Sequence, residues 1–149
     1  MATYGSPNPG VGAVGQYQIS AQPYVTGAFI VPKSGDPAIE ITFPRVTQWV
    51  YLQNMGAVAS RVGFSLLGTT GSLDSEDAAQ PGSDNYFWLP ASDATNPLPI
   101  LRMRVKSLFF VSSIAQANAD VVVVAGLTGI HSPLPGPEGN NYSGSAGIG

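Results

Sequence analysis

Apolar and polar residues alternate with a period of two along much of this chain. The clearest run is 39–43, where Ile39, Ile41 and Phe43 are separated by Glu40 and Thr42. This alternation is typical of a β-strand with one buried face. Residues 46–53 show the same period, and it predicts one face with Gln48, Val50 and Leu52 and another with Thr47, Trp49 and Tyr51.

Eight runs of this kind are separated by Gly, Pro, Asn and Asp residues that favour turns. They are 24–31, 38–43, 46–53, 58–67, 86–89, 100–106, 108–112 and 119–127. No window longer than one turn has the period of an amphipathic helix, although 114–118 has room for one short turn. We therefore predict an all-β chain that forms an eight-stranded single jelly-roll β-sandwich, with an immunoglobulin-like sandwich as the alternative.

The two ends of the chain have a different composition from its centre. Residues 1–16 are rich in Gly, Pro, Ser and Asn, and the end of the chain combines alternating prolines at 133, 135 and 137 with a Gly/Ser-rich stretch. Such segments cannot bury a core of their own, and alternating prolines favour an extended conformation. We predict an extended N-terminal arm over 1–16, the jelly roll over 17–130 and an extended C-terminal tail over 131–149.

Charge is scarce in the 149 residues. Only 10% are charged, against about a quarter in an average protein, and the net charge is −3. Few charges leave little to keep neighbouring molecules apart, so we expect an extensive protein–protein interface. A basic excess is missing, and contact with nucleic acid is therefore not expected.

The chain also lacks the sequence features of secretion and membrane insertion. Its first residues have neither the basic start nor the apolar stretch of a signal peptide. Residues 121–127 form the longest apolar run, which is far too short for a membrane-spanning helix. We expect no insertion into a membrane.

Candidate chemistry is sparse. There is no cysteine, and His131 is the single histidine, without a nucleophile motif to accompany it. The acidic loop with Asp74, Glu76, Asp77 and Asp84 has carboxylates that suit calcium, but it lacks EF-hand spacing, and a solvated loop is the preferred interpretation. We predict no enzymatic activity, no cofactor and no catalytic or metal-binding residue.

Arg102, Arg104 and Lys106 alternate with Met103 and Val105, which places three cations on one face of a predicted strand. They form either an ordinary solvated face or a stripe that meets an acidic neighbour or enclosed nucleic acid, and an acidic partner surface would explain them without nucleic acid. With Tyr4 in the arm and Tyr142 in the tail, these three residues are the candidate interface. Most of the aromatic residues at 86–88 and 109–110 are assigned to the core, with Trp88 or Trp49 as the exceptions to test.

Several runs resemble the single jelly-roll vertex, or penton, proteins and small capsid proteins of large icosahedral double-stranded DNA viruses. The runs are QWVYLQNMG at 48–56, RVGFS at 61–65, YFWL at 86–89, VAGLTGI at 124–130 and NYSGS at 141–145. The resemblance extends over residues 24–147 as a pattern of strands and turns, without a catalytic signature.

The resemblance implies a structural virion protein, assembled in the host cell, with five copies around each fivefold vertex of the capsid. It also implies that the two tails reach onto neighbouring major and minor capsid proteins. Two alternatives are a phage decoration or cement protein, often a trimer, and a non-viral carbohydrate-binding β-sandwich.

Overall fold

A computed structural model describes residues 22–70, 85–93 and 98–129 of the chain. Within these ranges the protein has eight strands and one short helix. The strands are β1 (Gln22–Val25), β2 (Phe29–Val31), β3 (Ile39–Thr42), β4 (Thr47–Asn54), β5 (Ser60–Gly63), β6 (Tyr86–Leu89), β7 (Ser107–Ser112) and β8 (Ala119–Leu127). The helix, α1, is Leu66–Thr70. No helix within these ranges has the length and the apolar character needed to cross a membrane.

The first sheet, sheet I, is built around β8. β4 pairs antiparallel with β8 from Val121 to Leu127. β1 and β2 pair antiparallel with the second and first parts of β8, respectively. Because a strand has only two edges, β1 and β2 share the edge of β8 that lies opposite β4. A single antiparallel bridge between Val50 and Leu101 adds the segment around Leu101 beyond β4.

The second sheet, sheet II, has the strand order β3-β7-β5-β6, and all its described pairs are antiparallel. Its inner face packs against that of sheet I. Phe29 of sheet I meets Phe110 of sheet II edge to face, with ring centroids 5.4 Å apart. The core also contains Val50, Leu52, Val121 and Val123 from sheet I and Val62, Leu89 and Leu108 from sheet II. The fold is therefore a two-sheet antiparallel β-sandwich, as the sequence predicts at this level.

The alternating pattern predicts several elements well. Strands β6 and β8 have the predicted bounds, and Ile39, Ile41 and Phe43 face inward while Glu40 and Thr42 are exposed. In β4 the predicted faces hold for Val50 and Leu52, but Thr47 is also buried. A β-bulge between Thr47 and Trp49 explains this, because one extra residue moves Thr47 to the inner face.

The predicted strand 24–31 is broken into β1 and β2. At the break, the Thr26 hydroxyl accepts a hydrogen bond from the Val123 N–H at 2.9 Å, in place of a backbone carbonyl. A threonine side chain that competes for a backbone donor in this way interrupts the ladder. Gly27 follows, where a Cβ atom would have no neighbour within 4 Å.

The predicted strand 58–67 is wrong at its C-terminal end, because β5 stops at Gly63 and α1 follows. The Ser65 hydroxyl accepts a hydrogen bond from the Gly68 N–H at 3.0 Å, which caps the first turn of the helix. Residues 114–118, where a helical turn had room to form, contain bends at 114–116 and irregular chain at 117–118.

The predicted strand 100–106 is reduced to the bridge at Leu101. Close to its end, the Val105 N–H donates to the Thr47 hydroxyl rather than to a strand carbonyl. The regular ladder is thus replaced by side-chain hydrogen bonding at this position. The predicted arm, tail and acidic loop lie outside the described residues.

Candidate interaction surface

The outer face of sheet I carries a row of apolar side chains across the sheet. Val25 of β1 lies directly opposite Val124 of β8 in the strand register, and Val124 in turn lies directly opposite Tyr51 of β4. Since Leu101 is bridged to Val50 in antiparallel register, Ile100 continues the row beside Tyr51. The row therefore spans sheet I from one edge to the other.

Additional apolar residues lie on either side of this row. We define the apolar face as the outward-facing apolar side chains of sheet I, which are Val25, Ile30, Trp49, Tyr51, Ile100, Val122 and Val124. Val25 and Ile30 are each 64% exposed and Ile100 is 59% exposed, while the others are half-buried. The outer face of an antiparallel sheet often carries polar residues, so this composition makes the apolar face a candidate interaction surface.

Sheet II differs in how its outer face is covered. Phe109 and Val111 project to the outer side of β7, yet both are buried. Helix α1 packs there, and Thr69 lies so close to Gly63 that a Cβ at position 63 would clash with it. Phe109 and Val111 on the outer side of sheet II are thus covered from within the chain. No described element covers the apolar face of sheet I.

Strand β8 holds the sequence signal for this surface. Its residues 121–125 are apolar without interruption, and a continuous apolar run is typical of a strand covered on both faces. The inner residues Val121 and Val123 fill the core, whereas Val122 and Val124 belong to the apolar face. We considered this run only for its length, so the apolar face was not among the predicted sites.

The predicted cation stripe lies at the border of the apolar face. Arg102 and Arg104 are exposed and Lys106 is half-buried, while Met103 and Val105 between them point inward. Through the Val50–Leu101 bridge, Arg102 is level with Trp49. The structure thus brings Arg102 next to the apolar face, and the role of the stripe stays a prediction.

The remaining predicted residues cannot be placed. Tyr4, Tyr142, His131 and the acidic loop with Asp74, Glu76, Asp77 and Asp84 lie outside the described residues. In the part of the chain that is described, no three His, Asp or Glu side chains come together as metal ligands would.

A second cluster, on sheet II, was not predicted. The Arg61 guanidinium lies over the ring of Tyr86, with its carbon 5.0 Å from the centroid, and 5.8 Å from the centroid of Trp88. Trp88 is 50% exposed, whereas Phe109 and Phe110 are buried. This confirms that most of the aromatic set is core and that Trp88 is an exception. We call Arg61, Tyr86 and Trp88 the edge cluster.

Only strand pairing brings the edge cluster together. Arg61 is level with Trp88 and Gly63 with Tyr86 in the β5–β6 ladder, although β5 and β6 are separated by a long connection. The spacing of residues within either strand does not predict this contact. A recess of about 340 Å³ opens on the same side of sheet II, between α1 and residues 34–37, above Val111.

Comparison of the chain with models of protein families, with characterised proteins and with solved structures gave no match in any of the three. The function is therefore argued from the surfaces of the molecule. Of these, the apolar face is the broader, and the edge cluster has the more specific chemistry.

Proposed function

We propose that this chain is a structural virion protein that forms a pentamer at the fivefold vertices of an icosahedral capsid. The observation that carries the proposal is the apolar face, which crosses every strand of sheet I and is not covered by any described element. Burial of exposed apolar side chains is the main driving force of protein association. An assembling subunit needs a surface of this kind.

The strand pairing supports a jelly roll, the fold implied by the resemblance to vertex proteins. Counting β1 and β2 as one strand and the segment around Leu101 as another gives eight strands in chain order. The first pairs with the eighth, the second with the seventh, the third with the sixth and the fourth with the fifth. Four nested antiparallel pairs wrapped into two sheets are the arrangement of a jelly roll.

A ring of five copies uses heterologous contacts, in which one surface of a subunit meets a different surface of the next. The apolar face would then pack against a second surface of the neighbouring copy or against another capsid protein. Arg102, beside Trp49, lies where an acidic residue of that neighbour would meet it. Such a polar rim around an apolar centre is typical of protein interfaces.

The arm and the tail are proposed to extend onto neighbouring major and minor capsid proteins. A segment rich in Gly and Pro can follow a groove on a partner with little steric hindrance, although its ordering costs conformational entropy. Strand β1 begins at Gln22, which is level with Leu127 near the end of β8. The described chain therefore begins and ends at the same end of sheet I, and we propose that the arm and the tail reach the same neighbour.

The symmetry of the assembly tests the proposal. We expect native mass spectrometry of the purified chain, or of a mixture with its capsid partners, to give a species of five times the 15.4 kDa chain mass. Averaged images of particles that contain the chain should then show it on fivefold axes. A species of three copies on the capsid surface would support a decoration protein instead, and a chain that stays monomeric with every capsid partner would contradict both.

A further inference from the structure

The edge cluster lies on the outer side of β6. In the strand order β3-β7-β5-β6, β6 is an edge strand of sheet II. On its inner edge β6 pairs with β5, and along its other edge it pairs with no strand in the ranges that the structure describes. The cluster is on the opposite sheet from the apolar face. The edge cluster and the apolar face are therefore two separate surfaces of the molecule.

The guanidinium of Arg61 is displaced towards this free edge. Its Cα belongs to β5, but its charged group lies over the rings of Tyr86 and Trp88, both of which belong to β6. The two rings are perpendicular, at 89°, with centroids 5.4 Å apart. Contact of a cation with aromatic faces is favourable and fixes the plane of the guanidinium.

Arg61 also has hydrogen-bonding capacity that is not used. Its Nε is buried and has no hydrogen-bond partner among the described residues. A buried donor without a partner is costly, and a guanidinium matches the two oxygens of a carboxylate with parallel hydrogen bonds. A carboxylate that approaches from the side of β6 would meet the terminal nitrogens of this guanidinium, which lie at its outer end.

We propose that the edge cluster binds the carboxylate of an Asp or Glu side chain on an extended peptide segment that adds to sheet II as a strand beside β6. The edge of β6 that is unpaired within the described residues offers backbone hydrogen bonds for strand addition, and the side chains give the specificity. A residue of the added strand that is level with Trp88 projects on the same side as Arg61. Its carboxylate would meet the guanidinium above β6, and the segment would cover the exposed part of Trp88.

Fluorescence of Trp88 tests this proposal directly. In a Trp49→Phe background, Trp88 is the single indole of the chain. The probe is a five-residue peptide with blocked ends that alternates valine and threonine around a central glutamate, and its control carries glutamine instead. We expect saturable binding of the glutamate peptide, about tenfold or more tighter than that of the glutamine peptide, because the control loses the negative charge and one of the two acceptor oxygens.

Arginine variants then assign the effect to Arg61. Arg61→Gln should abolish the preference for glutamate. Arg61→Lys keeps the positive charge but loses the paired donors of the planar guanidinium, so it should retain only part of the preference. Arg102→Gln, on the other sheet, is the matched control and should leave the preference unchanged. Circular dichroism checks that each variant is folded. If the glutamine variant is unfolded, the lysine variant alone tests the role of Arg61.

Three results would overturn the proposal. The first is equal affinity for the two peptides, and the second is a preference for glutamate that survives in both Arg61 variants. The third is saturable binding of an acidic sugar, tested with sialyllactose against lactose, by a chain that ignores both peptides. That last result would assign the edge cluster to carbohydrate recognition.

Discussion

The hydroxyl of Thr47 accepts a hydrogen bond from the N–H of Val105 at 3.0 Å and lies 2.9 Å from the carbonyl oxygen of Met103, to which it donates. The backbone N–H of Thr47 also donates to the Val105 carbonyl at 3.1 Å. One buried side chain therefore joins the start of β4 to the irregular segment that follows Leu101. This link holds the segment that carries Arg102 against sheet I.

Replacement of Thr47 by valine keeps the shape of the side chain and removes its hydroxyl. The Val105 N–H and the Met103 carbonyl would lose this partner in a buried setting, and we expect a loss of about 1–3 kcal/mol in the free energy of unfolding. Urea denaturation followed by circular dichroism measures it. Thr47→Ser keeps the hydroxyl and should lose no more than about 1 kcal/mol, through its missing methyl group. Equal losses in the two variants would show that the hydroxyl does not matter.

A charge on the apolar face should weaken assembly without affecting the fold. Val25→Asp places a carboxylate at a position that is 64% exposed in the single chain, so the isolated subunit can tolerate it. In an assembled interface the carboxylate would be buried without a partner, and we expect about tenfold or more weaker association. Mass photometry over a range of concentrations measures this.

The matched control for Val25 is Ile114, an exposed apolar residue in the connection between β7 and β8. Ile114→Asp adds the same charge away from the apolar face and should associate like the unchanged chain. If Val25→Asp also associated normally, the apolar face would not be the assembly surface.

Glycine is needed at position 63 because α1 packs closely against the backbone there, and not because the backbone conformation is unusual. A Cβ at this position would clash with the Thr69 hydroxyl and lie 3.1 Å from the backbone oxygen of Asn85. We expect Gly63→Ala to lower the free energy of unfolding by about 1–3 kcal/mol, as overpacking generally does. Gly27→Ala, where a Cβ meets nothing within 4 Å, is the control. The packing of α1 on sheet II would be in doubt if the two variants unfolded at the same denaturant concentration.

Removal of residues 1–16 tests the predicted arm. The deletion ends before Gln22, where β1 begins, so every described strand stays complete. We expect a folded domain with an unchanged circular dichroism spectrum that is no longer incorporated into capsids when its partners are present. An unfolded product would mean that the arm belongs to the core of the sandwich.

Period-two alternation was enough to predict the antiparallel sandwich and most of its strands, because burial of one face imposes that period directly. The errors arose where side chains replace backbone partners. Thr26 interrupts the first predicted strand, Ser65 caps a helix in place of the end of the fourth, and Thr47 bonds to Val105 in place of a regular ladder. The donors captured by Thr26 and Thr47 are distant along the chain, so the local sequence does not contain these contacts, whereas the bond between Ser65 and Gly68 is local and marks a helix start that the strand pattern obscured.

The surfaces were harder to predict than the strands. Exposure of Arg102 and Arg104 follows from alternation, but the row from Val25 to Ile100 depends on the register of four chain segments. The edge cluster depends on register too, since Arg61 meets Trp88 only across the β5–β6 pair. The alternation of apolar and polar residues predicts on which face of its own strand a residue lies. The register between strands decides which residues of different strands become neighbours on that face.

The central position of β8 in sheet I has a consequence for the order of events during synthesis. β1, β2 and β4 do not pair with one another in the described structure, and each of them pairs with β8, the last of the eight strands to be made. Contacts of such large sequence separation slow folding. Until β8 emerges, the earlier strands have no common partner, and Val122 and Val124 are missing from the surface. A nascent chain therefore cannot associate prematurely through the completed face, and subunit recognition is delayed until the domain has been translated through β8.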